Sequence, residues 1–401
     1  MPGAKSYGGA FGLFLFGQGI SNLGDAFRFI AVTVLLYQLT GSGSAAALGL
    51  LFSIVPSLIL SPFAGAAGDM LDEKYLLAGI DFVKAAVTLL FLSCRSLSGI
   101  YVILMLLSAL DTVYGPSRRK FILRLAGKKG VLGANSLLTG ISGAAFLAGP
   151  LMAGVLTDAC GPSPAFLVNT AACIISAAAT LLVKAKAWPR RKKTGGNILR
   201  EIGDGFGYCK RHPRVREVIG AGIVTGFCAI SMNMAFYPFA FDSLGVTGKG
   251  WSLMISVYYG TNLLVLPVMG LIGARGRSLD FKLFYAGLFV TGAIWLTYTF
   301  VNGFFTVLLL QFAEGTVLAV SGILLSSRMQ TVSDSGYLAR VAGVGDILSG
   351  GAKLGSMCGA LLIMQTASFR LVFLINACLL LLYSFYGLTG RSGKAGISAA
   401  D

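Results

Sequence analysis

Asp25, Asp81, Asp111, Glu314 and Asp346 stand inside long apolar stretches of a 401-residue chain, as do Arg28, Lys84 and Lys353. A charge in such surroundings is costly and ordinarily faces a cavity or a partner of opposite sign. A partly dry cavity disfavours the charged form of a carboxylate, so such a group can load and release a proton near neutral pH. Spacing sorts these acids. Asp25 and Arg28 are three apart, share a helix face and can pair. Asp81 and Lys84, near the cytoplasmic end of their stretch, read as structural. Asp346 and Lys353 are seven apart, two turns along one face, and read as gating or packing groups. Asp111 and Glu314 have no cation at helical spacing within their own stretches. That leaves them open to a proton, a cationic substrate or a partner on another helix.

The elements that carry these residues are set by composition. Hydrophobic residues make up 55% of the chain, charged residues 12%, and the mean hydropathy is +0.79. A soluble protein of this length could not bury that much apolar surface, so lipid is the expected solvent. About twelve apolar stretches, each near the ~20 residues a spanning helix needs, cover 8–39, 44–70, 75–94, 98–121, 131–158, 163–185, 216–242, 249–273, 280–300, 304–328, 340–364 and 369–389. Glycine-rich and proline-containing interiors such as Gly143 to Gly154 are tolerated in membranes, where small residues let helices approach closely.

The formal charge of +16 resolves into a topology signal. Roughly 26 of the 32 Lys and Arg fall in the even-numbered loops and the two termini, the positive-inside bias. Lys128 and Lys129 follow the fourth stretch, and Arg190, Arg191, Lys192 and Lys193 follow the sixth. Both termini are therefore expected in the cytoplasm, with the basic excess facing anionic lipid rather than nucleic acid. The apolar segment after Lys5 is too long for a cleaved signal and is expected to act as a retained anchor. The seven cysteines form no C-x-x-C pair and most sit in apolar runs, and His212 is the only histidine. Neither a metal site nor a cofactor is expected. No nucleophile–base pair points to an enzyme. The phosphate loop that an ATP-driven pump needs is also missing from the sequence.

The longest polar stretch, Lys186 to about Arg216, divides six spans from six. Ile198, Ile202 and Phe206 have helical spacing within it, but a cytoplasmic linker over 186–215 is the favoured expectation. Faint internal similarity accompanies the division. Lys74-Tyr-Leu-Leu-Ala-Gly79 is echoed by Lys282-Leu-Phe-Tyr-Ala-Gly287, and the segment from Leu106 through Asp111 by that from Leu309 through Glu314. The expected fold is all-α and integral to the membrane. It has about twelve transmembrane helices in two pseudo-symmetric six-helix halves, 1–185 and 216–401, packed face to face around a midplane site.

Three motifs carry a family resemblance. The segment from Pro62 through Gly65, Gly68, Asp69 and Asp72 to Lys74 resembles the loop between helices two and three of the major facilitator superfamily. Met70 and Glu73 stand where basic residues are usual there. Gly149-Pro150-Leu-Met-Ala-Gly154 is similar to the end of the antiporter motif in helix five, with Ser136 and Ala145 at upstream glycine positions. Gln18-Gly-Ile-Ser21-Asn-Leu-Gly24-Asp25, Leu39-Thr40-Gly41-Ser42 and Ala134-Asn135-Ser136-Leu137 resemble the branch holding macrolide-efflux and enterobactin-exporter proteins.

The resemblance implies that helices one, four, seven and ten line a central cavity. Asp25, Asp111 and Glu314 then become the expected proton-coupling acids. Arg28, Phe27, Asn233, Phe236, Tyr237 and Gln311 become expected substrate contacts, although Asn233 and Gln311 serve equally well as interhelical hydrogen-bonders. Gly65, Gly68, Asp69, Lys74 and Asp346 would form a conformational latch, and Gly149, Pro150 and Gly154 a close helix contact. The expected function is export of an amphipathic small molecule in exchange for protons, by a monomer in a bacterial cytoplasmic membrane. Lipid or lysolipid translocation, nutrient uptake and a non-transporting membrane sensor are the alternatives. The expected partners are the small-molecule substrate, protons and membrane lipid.

Overall fold

The computed structural model describes residues 9–67, 72–184, 198–274, 281–333 and 337–389. Among these residues every regular element is helical: α1 (Gly9–Thr40), α2 (Gly43–Ala67), α3 (Glu73–Ser93), α4 (Leu97–Cys160), α5 (Ser163–Leu182), α6 (Ile198–Arg211), α7 (Pro213–Pro238), α8 (Gly248–Ala274), α9 (Lys282–Tyr298), α10 (Phe304–Val332), α11 (Leu338–Thr366) and α12 (Phe369–Thr389). A π-turn, Phe239–Ser243, extends α7. Among the described residues eleven segments are long and apolar enough to cross a membrane, and α9, with 17 residues, is shorter. The fold is thus all-α and integral to the membrane.

The expected fourth and fifth spans are the two arms of α4, separated by a kink at Gly127, whose φ of 67° and ψ of 169° leave the helical region. Glycine takes that conformation without the steric penalty of a side chain. The first arm of α4 ends there, and the second runs on to Cys160. The stretch expected chiefly as linker contains α6, whose Tyr208 and Cys209 pack with Val215, Ile219, Val341 and Val344. Gly205 makes this docking close, since an added methyl there would meet Val344 and the Arg340 carbonyl.

Two compact units divide the chain, the first comprising Met1–Arg191 with Gly245–Gly260 and the second Lys192–Leu244 with Thr261–Asp401. In the first unit α1 packs on α4 and α5, and α3 packs on the same two helices. Phe11, Phe14, Leu77, Ile80, Tyr114 and Phe121 fill the space between them. The start of α8 lies along the second arm of α4: Ser256 Oγ donates to the Leu147 carbonyl at 3.0 Å. In the second unit α7 packs on α11 and α12, and α9 on α10 and α12. Phe236, Phe239, Tyr298, Phe369 and Phe373 form its aromatic cluster, with ring centroids 5.3 to 6.2 Å apart. Large apolar side chains such as Phe305, Leu309 and Tyr386 remain open on the outside, an arrangement stable where lipid replaces water.

Candidate functional site: a shared ion-pair network and a separate buried acid

Three helices of the first unit each contribute charge to one network. On α1, Asp25 and Arg28 are one turn apart, and Arg28 Nη2 lies 3.1 Å from Asp25 Oδ1. On α3, the Lys84 ammonium lies 3.5 Å from Asp25 Oδ2 and 2.8 Å from Asp111 Oδ1. Asp111, on the first arm of α4, closes the ring with Arg28 at 3.8 Å. Two cations are thus shared between two carboxylates.

Small residues bring these helices together. Gly24 abuts α5 so closely that an added methyl would lie 2.5 Å from Ala172 Cβ and 3.0 Å from Asn169 Nδ2. That approach lets Asn169 donate to Asp25 at 3.3 Å while accepting from Thr88 at 3.1 Å. Gly149 performs the same service on the other flank, where a methyl would lie 2.6 Å from Ala26 Cβ. The glycine of the antiporter-like motif therefore seats α1 beside Asp25. Pro150 follows it inside the second arm of α4, and Gly154 packs on Ser252 and the Gly248 carbonyl of α8.

The network is graded in exposure. The Lys84 side chain is 3% exposed, Arg28 14%, Asp25 27% and Asp111 44%. Neutralising one carboxylate would leave its cation partly uncompensated in a low-dielectric setting, so the pairs stand or fall together. Such an arrangement can exchange partners when a proton or a cationic ligand competes for a carboxylate.

Glu314 is held differently. Its two oxygens accept from Trp295 Nε1 at 2.7 Å and Tyr298 Oη at 2.9 Å, both on α9. It is buried and makes no ion pair among the described residues. Gln311, one turn earlier on α10, is buried with its Oε1 lacking a hydrogen-bond partner. Phe27, Phe236 and Tyr237 are all buried, with Phe236 set edge-on to Phe239 and Tyr298. Asn233 is exposed. The structure brings Asp25, Arg28 and Asp111 together but leaves Glu314, Gln311 and Phe236 in the second unit.

The expected latch is described only in part. Gly65 lies near the end of α2, while Gly68 and Asp69 fall outside the described residues. Lys74 opens α3 with its backbone N–H donating to Asp72 Oδ1 at 2.9 Å. The ion pairs at this corner bring in Arg124, which was not singled out in the sequence: it lies 3.1 Å from Asp72 and 3.3 Å from Glu73. An acidic cap before a helix was the available signal. Asp346 is exposed and not paired with Lys353, whose stem lies over Gly226 of α7. Lys84, read from the sequence as structural, joins the ion-pair network instead. It shares a helix turn with Asp81, but its ammonium turns to other helices.

The family model described as Major Facilitator Superfamily matches residues 10–352. Over 281 residues the chain is 24% identical to the multidrug efflux pump Tap of Mycolicibacterium fortuitum, a match covering 66% of each protein. Over 196 residues it is 28% identical to the uncharacterized MFS-type transporter y4rN of Sinorhizobium fredii (strain NBRC 101917 / NGR234), covering 47% of this chain and 48% of that one. The chain thus spans less than two thirds of the length of either curated relative. Among solved structures it superposes on a bacterial homologue of the iron transporter ferroportin with a TM-score of 0.74 at 15% identity, covering 95% of this chain and 99% of that one. For the nucleoside transporter NupG the TM-score is 0.71 at 13% identity, with 94% and 97% covered. At these identities the likeness concerns the fold.

Proposed function

Because this chain belongs to the major facilitator superfamily, a family of transporters rather than enzymes, we propose that it exports an amphipathic small molecule in exchange for protons, by alternating access. One arrangement supports antiport above all: Asp25, Arg28, Lys84 and Asp111 share their charges inside membrane-spanning helices. Charges are retained at such depth when they have work to do. Protonation of Asp25 or Asp111 would release one cation from the ring, and a cationic group on the substrate would do the same by competition. Glu314, bonded only by neutral donors among the described residues, is the third proton-coupling acid of this scheme. The similarity to a multidrug efflux pump supports the outward direction and the amphipathic substrate class. The proposed setting is a bacterial cytoplasmic membrane with both termini inside, where the basic loops would face anionic lipid.

The test is transport in proteoliposomes with an imposed pH gradient, using lipophilic cations, macrolides, siderophores and lysolipids. Movement that follows the gradient and collapses with a protonophore is the expected result. If Asp25→Asn, Asp111→Asn and Glu314→Gln all fold and none reduces that movement, the proton-coupling assignment falls.

A further inference from the structure

Behind the ion-pair network lies an acid that the scheme above does not use. Asp81 on α3 is fully buried. Its Oδ2 accepts from Ser176 Oγ of α5 at 2.8 Å and from Tyr114 Oη of α4 at 3.3 Å. The Tyr114 hydroxyl in turn accepts from Gln18 Nε2 of α1 at 2.5 Å. Asp81 Oδ1 is sealed from solvent and has no hydrogen-bond partner. Among the described residues, the donors that reach this carboxylate are neutral.

The neighbouring charges do not balance an ionised Asp81. Lys84 stands one turn further along α3, yet its ammonium is bound to Asp111 and Asp25. Arg28 on α1 is bound to the same two acids. Arg118, one turn beyond Tyr114 on α4, makes no ion pair with Asp81 among the described residues, and its Nε has no hydrogen-bond partner there; α5 offers only the Cys173 thiol. Asp25, Asp81 and Asp111 thus face two shared cations, leaving one carboxylate uncompensated. A buried ionised carboxylate without a cation is strongly disfavoured, whereas its neutral acid form is tolerated.

We infer that Asp81 is a proton-carrying residue that sets the partner of Lys84. While Lys84 is bound to Asp111 and Asp25, Asp81 holds a proton. When the helices part enough to admit water, the Asp81 O–H bond breaks, the proton passes to that water, and the new carboxylate draws the Lys84 ammonium back along α3. Lys84 keeps its own protons throughout, and Asp111, the most exposed member of the network, is released to a cationic group of the substrate. This rests on the antiport reading, to which it adds a fourth acid and an order of events.

Infrared difference spectroscopy of the purified full-length protein, titrated in pH without substrate or gradient, tests it. A carboxylic-acid C=O band should disappear as pH rises. Asp81→Asn should lack that band, and Asp81→Glu should move its frequency. Tyr114→Phe keeps the acid but removes one hydrogen-bond donor, and should also shift it. Asn at 81 can still accept from Ser176 and Tyr114, so the variant is expected to fold; should it fail to, the Asp81→Glu and Tyr114→Phe shifts decide the matter. A titrating band that is unaltered in these variants, or no such band at all, overturns the inference. The spectrum is read without transport, so failure of gradient-driven movement would sink the antiport reading while leaving the protonation of Asp81 separately decided.

Discussion

Lys84 Nζ lies 2.8 Å from Asp111 Oδ1, joining the buried face of α3 to the first arm of α4. The same ammonium is 3.5 Å from Asp25 on α1, so one cation ties three spans together. Lys84→Met removes it and leaves two carboxylates to the single remaining cation. The expected loss of stability is about 3 kcal/mol, measured as a lowered unfolding temperature in detergent. Adding Asp111→Asn should recover part of it. Equal losses in the single and double variants would show that Asp111 is not the partner that matters.

Glu314→Gln separates coupling from binding. The amide oxygen can still accept from Trp295 or Tyr298, so the variant should fold. Gradient-driven transport is expected to drop at least about tenfold, the equivalent of roughly 1.4 kcal/mol. Substrate exchange at equal pH on both sides should persist. Transport that keeps its dependence on the gradient would remove Glu314 from the coupling scheme.

Gly149 packs against α1 beside Asp25, where an added methyl would lie 2.6 Å from the Ala26 methyl and 3.3 Å from Leu23 Cδ1. Gly149→Ala should therefore push α1 away and cost about 1–3 kcal/mol as an overpacked contact. Ala26→Gly in the same protein should restore both stability and transport. Lack of rescue would place the effect of Gly149 somewhere other than this contact.

Asp158 closes the far end of the second arm of α4 against α8. It accepts from Thr247 Oγ1 at 2.8 Å and from the Lys249 backbone N–H at 3.0 Å, as a capping carboxylate would. Asp158→Ala should cost about 1 kcal/mol, and Asp158→Asn should cost less because its amide oxygen can still accept. Thermal unfolding of the two variants ranks them. The reverse order would assign Asp158 a role in charge rather than in capping.

Much of the fold was legible in the chain itself. A run of apolar residues long enough to span lipid has few alternatives to a helix, because every backbone polar group must be satisfied within the segment. Hydropathy therefore located the spans, including the fourth and fifth, which the backbone separates at Gly127. Periodicity likewise found the Asp25–Arg28 pair, since residues three apart meet on any helix. It could not find Lys84 with Asp111, because which faces of α3 and α4 meet is decided by tertiary packing and not by spacing along either helix. The same limit hid Asp81. Its spacing suggested Lys84 as a structural neighbour, but packing gave Lys84 to other helices and surrounded Asp81 with neutral donors. Local spacing decides which charges share a turn. Only the packed arrangement decides which of them are left without a counterion.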